Sequence, residues 1–265
     1  MGRCVLCVVL LFFGCSALRA QVLRMPLLEA SPYGVVDAQG NKVGLYPDIA
    51  QALARETRMP VEIELVPFAR AANETAKGGG DATIMMSTAF SESKAVEAIV
   101  VFFSRQVLLM RPGLKAPDRK ALNGLTIGRL NGGCQVLVSP PGETIQFQDI
   151  NSQGSAVGML ALGRIDAFCS TEEALRAEIR NQGLEEKLRT AQVLELGARP
   201  VWLMLSPKLS KPVGLALVDG VKRMQRSGEL ARIFRKHLGA SYRLQTQENA
   251  SSEKDGAGVN RPETQ

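Results

Sequence analysis

The sequence predicts an α/β protein made of two similar lobes with a cleft between them. Short β-like runs alternate with amphipathic helical stretches along nearly the whole chain, which is the pattern of sheets flanked by helices. The same order of strands and helices occurs twice, and a short connection around Pro112 and Gly113 joins the two sets. A chain of 265 residues is long enough for two lobes of ordinary size.

The N-terminal residues 1–20 predict an export signal. Arg3 precedes an apolar run over residues 4–14, and the small residues Ser16 and Ala17 follow. A charged start, a short apolar run and small residues are the three parts of a signal peptide, and the run is shorter than the about 20 residues that span a bilayer. We therefore expect export to the periplasm. Ordinary cleavage is the favoured interpretation, and a lipoprotein anchored through Cys15 is the alternative, because residues 12–15 resemble a lipobox.

Residues 21–112 are predicted to form the first part of lobe 1. The predicted strands are residues 22–28, 61–66, 82–86 and 107–110, since each is a short, mainly apolar run bounded by turn-forming residues. Asp48 is predicted to cap a helix whose apolar residues fall on one face. A second short helix is expected to end in the glycines at 78–80.

Residues 113–199 are predicted to form lobe 2, and residues 200–244 to return to lobe 1. Lobe 2 has predicted strands at 125–130, 145–150 and 165–169, a helix at 154–162 and another helix that Thr171 caps. The return consists of a strand at 201–205 and a helical region over 213–238. Residues 245–265 hold no aromatic residue and no large apolar residue except Val259, so we expect a disordered tail.

Charge and motif content argue against several classes of function. The net charge of +6 falls to +4 without residues 1–20, and the basic residues are interspersed with acidic ones. This distribution is typical of a solvated surface and not of a nucleic-acid interface. The sequence has no zinc-ligand spacing, no G-x-S-x-G and no phosphate-loop pattern, so we expect no cofactor, no metal site and no catalytic site.

Short motifs follow one another in an order that is typical of one known family. They are Pro32-Tyr33, Gly44-Leu45-Tyr46-Pro47-Asp48, Val66-Pro67-Phe68, Gly80-Asp81-Ala82, Gly163-Arg164-Ile165-Asp166-Ala167 and Ser227-Gly228-Glu229-Leu230. In this order, over about residues 22–240, they resemble the bacterial extracellular solute-binding proteins of family 3. Members of that family supply polar amino acids and similar small molecules to ABC importers.

The resemblance implies a type II periplasmic-binding-protein fold, in which each lobe is a mostly parallel sheet flanked by helices. Lobe 2 is then inserted into lobe 1, and the lobes close on a hinge around a ligand in the cleft. The implied ligand is a small polar solute, either an amino acid or a related small carboxylate or amine. The implied partner is an ABC permease in the inner membrane, and we expect the protein itself to be a monomer.

The resemblance also indicates where the ligand would bind. The family places two aromatic side chains around its ligand. Hydroxyl groups directly after a strand can bind a ligand oxygen, and a glycine pair lets the backbone approach a carboxylate. The residues at these positions are Tyr33 and Phe68, Ser87 and Thr88, and Gly132 and Gly133.

Two regions depart from the pattern of the amino-acid binders. Such proteins usually hold the α-carboxylate with an arginine, whose fork donates two parallel hydrogen bonds, but here Ser93 stands in that place with Lys94 beside it. They usually hold the α-ammonium with an aspartate, where this chain has Thr171 and Glu172. Glu172 supplies the charge in one interpretation, and Thr171 simply caps a helix in the other.

Two arginines and two cysteines complete the candidate residues. Arg70 and Arg199 are alternative partners for an anion, and an ordinary surface or interlobe position is the other interpretation of each. Cys134 and Cys169 are the cysteines that follow the signal. In an oxidising compartment such a pair predicts a disulfide, and two buried thiols are the alternative.

Two other functions are compatible with the sequence. One is a sensory or accessory module that hands its ligand to a separate receptor or redox system. The other is a periplasmic enzyme on the same fold, similar to cyclohexadienyl dehydratase, for which Glu29 or Glu172 would be the acid or base.

Overall fold

The computed structural model describes residues 22–86, 95–137, 144–240, 242 and 244, so the predicted signal peptide and tail lie outside the described residues. The strands in chain order are β1 (Leu23–Leu28), β2 (Val35–Val36), β3 (Lys42–Val43), β4 (Val61–Val66), β5 (Ala82–Met86), β6 (Val96–Met110), β7 (Thr126–Leu130), β8 (Gln146–Ile150), β9 (Ala167–Thr171) and β10 (Val193–Leu205). The helices are α1 (Leu45–Thr57), α2 (Phe68–Lys77), α3 (Gln153–Ala161), α4 (Glu172–Asn181), α5 (Lys211–Arg226) and α6 (Glu229–Leu238). In this part of the chain no helix has the length and apolar character needed to cross a membrane.

Lobe 1 is built around the parallel pair β1 and β4, with β5 beside β1. The N–H of Asp81, just before β5, donates to the carbonyl of Arg24 at 2.7 Å. Helix α5 packs closely on α1, since a Cβ at Gly220 would lie 2.7 Å from the Leu53 side chain. Phe234 of α6 is fully buried and meets the ring of Phe102 edge to face at 4.6 Å. One continuous core therefore joins the first part of the chain to its C-terminal helices.

Lobe 2 contains the parallel strands β8, β7 and β9, covered by α3 and α4. Phe168 of β9 is fully buried in the core of this lobe. Gly128 of β7 allows a close approach, because a Cβ there would lie 2.7 Å from the Ile165 side chain and 2.9 Å from that of Ile150. The lobe thus has its own tightly packed interior.

The long antiparallel strands β6 and β10 run through both lobes. They occupy the middle of a six-stranded sheet with the order β5-β10-β6-β9-β7-β8, so one end of each strand lies in lobe 1 and the other in lobe 2. Val201 of β10 pairs with Phe102 on the lobe 1 side, and Gln106 of β6 pairs with Thr171 on the lobe 2 side. The register shifts between Glu195 and Ala198, and such a bulge bends a strand. We call residues 103–106 and 197–200 the hinge.

Several predicted elements differ in their bounds. Helix α1 begins at Leu45, so Asp48 lies in its first turn and does not cap it. Gly44 makes this start possible, because its φ of 134° is suited to glycine and a Cβ there would lie 2.6 Å from the Tyr33 carbonyl oxygen. The single helical region predicted at 213–238 is two helices, since Gly228 has a φ of 75°. Thr171 caps α4 as predicted, with its hydroxyl accepting the Ala174 N–H.

Candidate functional site

A cavity of about 380 Å³ lies between the two lobes. Its walls come from both lobes and from the hinge, at the loops that follow β1, β4, β5, β7 and β9. This volume is in the range of small-molecule sites. The cavity is therefore the candidate ligand site, and each wall has its own chemistry.

The lobe 1 wall is aromatic and apolar. Tyr33 and Tyr46 stack with their ring centroids 4.8 Å apart, and each is only 3% exposed. Phe68, at the start of α2, lines the same wall with Met85 and Met86 at the end of β5. Burial is the main cause that raises the pKa of the Tyr33 and Tyr46 hydroxyls, so both remain neutral at physiological pH.

The backbone around Gly44 holds the two tyrosines in place. The Tyr46 N–H donates to the Tyr33 carbonyl at 2.8 Å, and the Tyr33 N–H donates to the Ala30 carbonyl at 2.7 Å. These bonds tie the loop after β1 to the first turn of α1. The backbone of the aromatic wall is thus fixed within lobe 1.

The lobe 2 wall consists of the loop after β7 and the end of β9. Gly132, with a φ of 76°, forms the turn, and Gly133 lines the cavity directly. Gln135 also lines it and donates its amide to the Gly132 carbonyl at 3.0 Å. Cys134 and Cys169 line this wall side by side, with their Cα atoms 6.1 Å apart. The loop therefore lies against β9 at Cys169, the middle residue of that strand.

Two further polar residues of lobe 2 pair with each other beside the cavity. The Gln153 side chain, at the start of α3, hydrogen bonds with the Ser170 hydroxyl at 2.8 Å. Gln153 is 6% exposed and Ser170 is 7% exposed. Because each satisfies the other, this pair presents a neutral polar surface to a ligand.

The hinge contributes Gln106 from β6 and Arg199 and Pro200 from β10. Among the described residues, Arg199 is the one charged side chain that lines the cavity. Residue 199 lies opposite Ser104 in the strand register, and Gln106 is two residues further along β6. The polar groups of the hinge therefore lie near one another on the two crossing strands.

A cluster of hydroxyls and one carboxylate joins the lobes next to the cavity. The Tyr33 and Thr171 hydroxyl oxygens are 2.5 Å apart. Glu173 accepts a hydrogen bond from Ser104 of the hinge at 3.0 Å and another from Tyr242 of lobe 1 at 3.0 Å. Burial is the main cause that raises the pKa of the Glu173 carboxyl. Sequence reasoning missed Glu173, although its place two residues after the helix-capping Thr171, in the first turn of α4, is a signal for a carboxylate at a helix start.

The predicted site residues fall into three groups. Tyr33, Phe68, Gly133 and Thr171 line the cavity, and Gly132 lies in the turn before Gly133. Arg70, Glu172 and Glu29 lie elsewhere, as described next. Ser87, Thr88, Ser93 and Lys94 lie outside the described residues.

Arg70, Glu172 and Glu29 lie away from the cavity, and each has other neighbours. Arg70 is exposed on α2 and pairs with Glu64 at 3.0 Å and Glu74 at 2.6 Å. Glu172 pairs with Arg105 at 3.3 Å and with Arg176. Glu29 lines a second, smaller cavity of about 280 Å³.

Two lobes, two crossing strands and a cavity between the lobes define a ligand-binding protein of the periplasmic type. The chain belongs to the bacterial extracellular solute-binding proteins, family 3, whose family model matches residues 27–240. No curated protein matches the sequence.

Solved structures with the same fold have varied functions. The arginine-, lysine-, histidine-binding protein ArtJ from Geobacillus stearothermophilus is 19% identical with a TM-score of 0.69, over 84% of this chain and 97% of that chain. The ancestral amino acid-binding protein AncCDT-1, a precursor of cyclohexadienyl dehydratase, is 16% identical with a TM-score of 0.67, over 82% and 95%. A histidine kinase sensor domain is 15% identical with a TM-score of 0.69, over 83% and 97%. These identities support the fold alone.

Proposed function

We propose that the protein is exported to the periplasm, where it captures a small solute between its lobes and delivers it to an ABC importer. The observation that carries this proposal is the cavity, whose walls come from both lobes and from the strands that join them. Rotation about the hinge would open the cavity for entry and close it around the solute. The closed shape is then the form that a permease recognises.

The bond between Tyr33 and Thr171 supports a closing mechanism. Tyr33 belongs to lobe 1 and Thr171 to lobe 2, and both line the cavity. Closure therefore forms a hydrogen bond at the same place where it encloses the ligand. A ligand that binds better to the closed form shifts the equilibrium toward it.

The leading test is thermal stabilisation of the protein purified from the periplasm. The panel contains amino acids, small carboxylates and small amines. A solute that binds only the folded state raises the apparent stability, by about 2.7 kcal/mol at a concentration 100-fold above Kd. We expect one chemical group of solutes to raise the melting temperature, and a panel that gives no shift would contradict solute capture.

Uptake separates transport from the alternative functions. We expect a strain that lacks this protein to lose high-affinity uptake of the solute found in the panel. Normal uptake combined with loss of a ligand-dependent transcriptional response would instead support a sensory module. Turnover of prephenate or arogenate would support the enzyme, but Glu172 is held in ion pairs and Glu29 lines the second cavity.

We also propose that Cys134 and Cys169 form a disulfide in the exported protein. The support is their position, with Cα atoms 6.1 Å apart on neighbouring segments of lobe 2. Mass measurement after alkylation without reduction tests the bond. We expect no alkylated cysteine, and two alkylated cysteines would contradict it.

A further inference from the structure

The Gln106 side chain faces the cavity without a hydrogen-bond partner in the described part of the chain. It is only 8% exposed, and it lines the wall where β6 crosses between the lobes. Buried amides are almost always hydrogen bonded, because leaving one unsatisfied costs about 1–3 kcal/mol. The neighbouring polar residues Gln153 and Ser170 satisfy each other. The amide of Gln106 is therefore available to a ligand.

Arg199 is another polar side chain of the cavity wall that the described residues leave without a partner. No ion pair or hydrogen bond of its side chain is formed with the described residues, whereas Arg70, Arg129 and Arg223 each pair with a carboxylate. A guanidinium presents a planar fork of donors that matches the two oxygens of a carboxylate. No carboxylate of the described chain lines the cavity to neutralise it. The positive charge of Arg199 is therefore available to an anionic ligand.

Thr171, at the position where an ammonium group would be held, already forms other hydrogen bonds. Thr171 replaces the aspartate that the family resemblance implies there, and its hydroxyl contacts the Tyr33 hydroxyl at 2.5 Å. The same oxygen accepts the Ala174 N–H at 3.3 Å as the cap of α4. A neutral hydroxyl with both of these contacts offers little to a cation.

The rest of the cavity suits an apolar ligand body. Rings of Tyr33, Tyr46 and Phe68 and the thioethers of Met85 and Met86 form the lobe 1 wall. Burial of apolar surface against such a wall gives affinity, and a few polar groups fix orientation. The unpaired amide of Gln106 and the guanidinium of Arg199 both lie on the hinge, so the anionic end of the ligand lies there.

We propose that the ligand is a small organic acid with one carboxylate on an apolar or aromatic body and without an ammonium group. Arg199 binds its carboxylate, Gln106 hydrogen bonds to the same end, and the lobe 1 wall receives the body. This inference rests on the proposed function and narrows it, because the family resemblance by itself leaves amino acids, small carboxylates and small amines open.

The test compares matched ligands by calorimetric titration of the protein purified from the periplasm. One set is 3-phenylpropanoate, 3-phenylpropanamide and L-phenylalanine, and the other is 4-methylpentanoate, 4-methylpentanamide and L-leucine, with L-arginine as a cationic probe. In at least one set we expect the acid to bind at least tenfold more tightly than both its amide and its amino acid. Hydrogen bonds to charged groups contribute enough for about a 10- to 100-fold difference.

Two substitutions assign the effect to the hinge. Arg199→Gln should lower affinity for the acid about 10- to 100-fold and leave binding of the amide nearly unchanged. Arg164→Gln makes the same charge change on an exposed turn of lobe 2 and should leave both affinities unchanged. Gln106→Met should lower affinity for the acid while keeping the melting temperature of the empty protein.

The outcomes distinguish this inference from solute capture itself. If the amino acid binds more tightly than the acid in both sets, or L-arginine binds most tightly, the ligand class is wrong and solute capture stands. Unchanged affinity for the acid in Arg199→Gln also overturns the inference. If no compound of either set binds, the solute found in the stabilisation panel tests the inference instead. A solute that has no carboxylate, or that carries an ammonium group, would overturn it. If no solute of any kind binds, both proposals fail.

Discussion

The two lobes build their walls of the cavity by different means. Lobe 1 presents the stacked rings of Tyr33 and Tyr46, which belong to its own buried core and are fixed by backbone hydrogen bonds. Lobe 2 presents a glycine-containing loop in which Cys134 lies beside Cys169 of β9, the pair that we propose forms a disulfide. One wall is thus a face of a hydrophobic core, whereas the other is a loop beside β9.

Because of this difference, the two walls should respond differently to substitutions. Changes in the lobe 1 wall remove apolar packing and hydrogen bonds one at a time, and each has a moderate cost. With the proposed disulfide, the lobe 2 wall depends on a covalent link, so loss of that link would affect the loop and the stability of the lobe together. The following predictions test this contrast, in order of decreasing effect.

Replacing both Cys134 and Cys169 by serine should have the largest effect. The link closes a loop with a sequence separation of 35 residues, and the chain-entropy model assigns such a loop about 4 kcal/mol of stabilisation. We expect denaturant unfolding to show a loss of this size for the double variant. Solute affinity should fall as well, because the loop with Gly133 and Gln135 lines the cavity.

The control for this prediction is reduction. A reducing agent should destabilise the wild-type protein and leave the double serine variant unchanged. Equal stability of the wild-type protein with and without reductant would show that the lobe 2 wall does not depend on the link.

The sequence could predict most of the fold because its strands are short apolar runs between turn-forming residues. The bounds of β4 and β5 match the predicted residues 61–66 and 82–86. Strand β6 was predicted from residue 107 only, although it begins at Val96. Its first part mixes apolar residues with Glu97, Ser104 and Arg105, because the strand leaves one core and enters the other. The hydrophobic pattern is interrupted where no single core covers the strand.

The site was only partly predictable, for a related reason. Tyr33 and Phe68 belong to local motifs, and both line the cavity, while their role in binding stays a prediction. Glu173 meets Ser104 and Tyr242 across sequence separations of 69 residues each. No local pattern encodes such a meeting, since it depends on how the two lobes and the hinge are arranged in space. The same holds for Gln106 and Arg199, which come from different crossing strands.

Glu173→Gln should make the contact between the lobes less sensitive to pH. Burial raises the pKa of this carboxyl in the folded protein, so the folded state keeps the proton to a higher pH than the unfolded chain does, whose pKa is about 4.3. The wild-type protein therefore loses stability as pH rises from about 4.3 through the raised folded pKa. The slope of this loss is at most about 1.4 kcal/mol per pH unit.

Urea unfolding at a series of pH values between about 4 and 8 measures this effect. We expect the stability of Glu173→Gln relative to the wild-type protein to increase with pH over that window. The charged group that acts on Glu173 is Glu172 on the same helix, which itself pairs with Arg105 of the hinge, and the hydroxyls of Ser104 and Tyr242 donate to the Glu173 carboxylate. Glu185→Gln, at an exposed position, is the matched control. A difference that stays constant or decreases with pH would contradict the prediction.

Tyr33→Phe and Thr171→Val should have the smallest effects, and they differ in an informative way. Tyr33→Phe removes one hydrogen bond between the lobes, the bond to Thr171, so affinity for the solute found in the panel should fall about fivefold, which corresponds to about 1 kcal/mol, with little change in lobe packing. Thr171→Val removes the same bond and also the cap of α4, so stability should fall by a further amount of about 1 kcal/mol. Thr171→Ser keeps both bonds and should behave as the wild-type protein does.

Together these variants decide whether the contact between the lobes acts on closure or on folding. A hydrogen bond that forms on closure contributes to affinity but leaves the open, empty protein unchanged. Calorimetric titration should therefore show a lower solute affinity for Tyr33→Phe, whereas the melting temperature of the empty protein should scarcely change. If instead Tyr33→Phe lowers the melting temperature of the empty protein as much as Thr171→Val does and leaves affinity intact, the bond is part of the resting fold. The lobe 1 wall would then be joined permanently to lobe 2, and closure around a solute would have to occur elsewhere on the hinge.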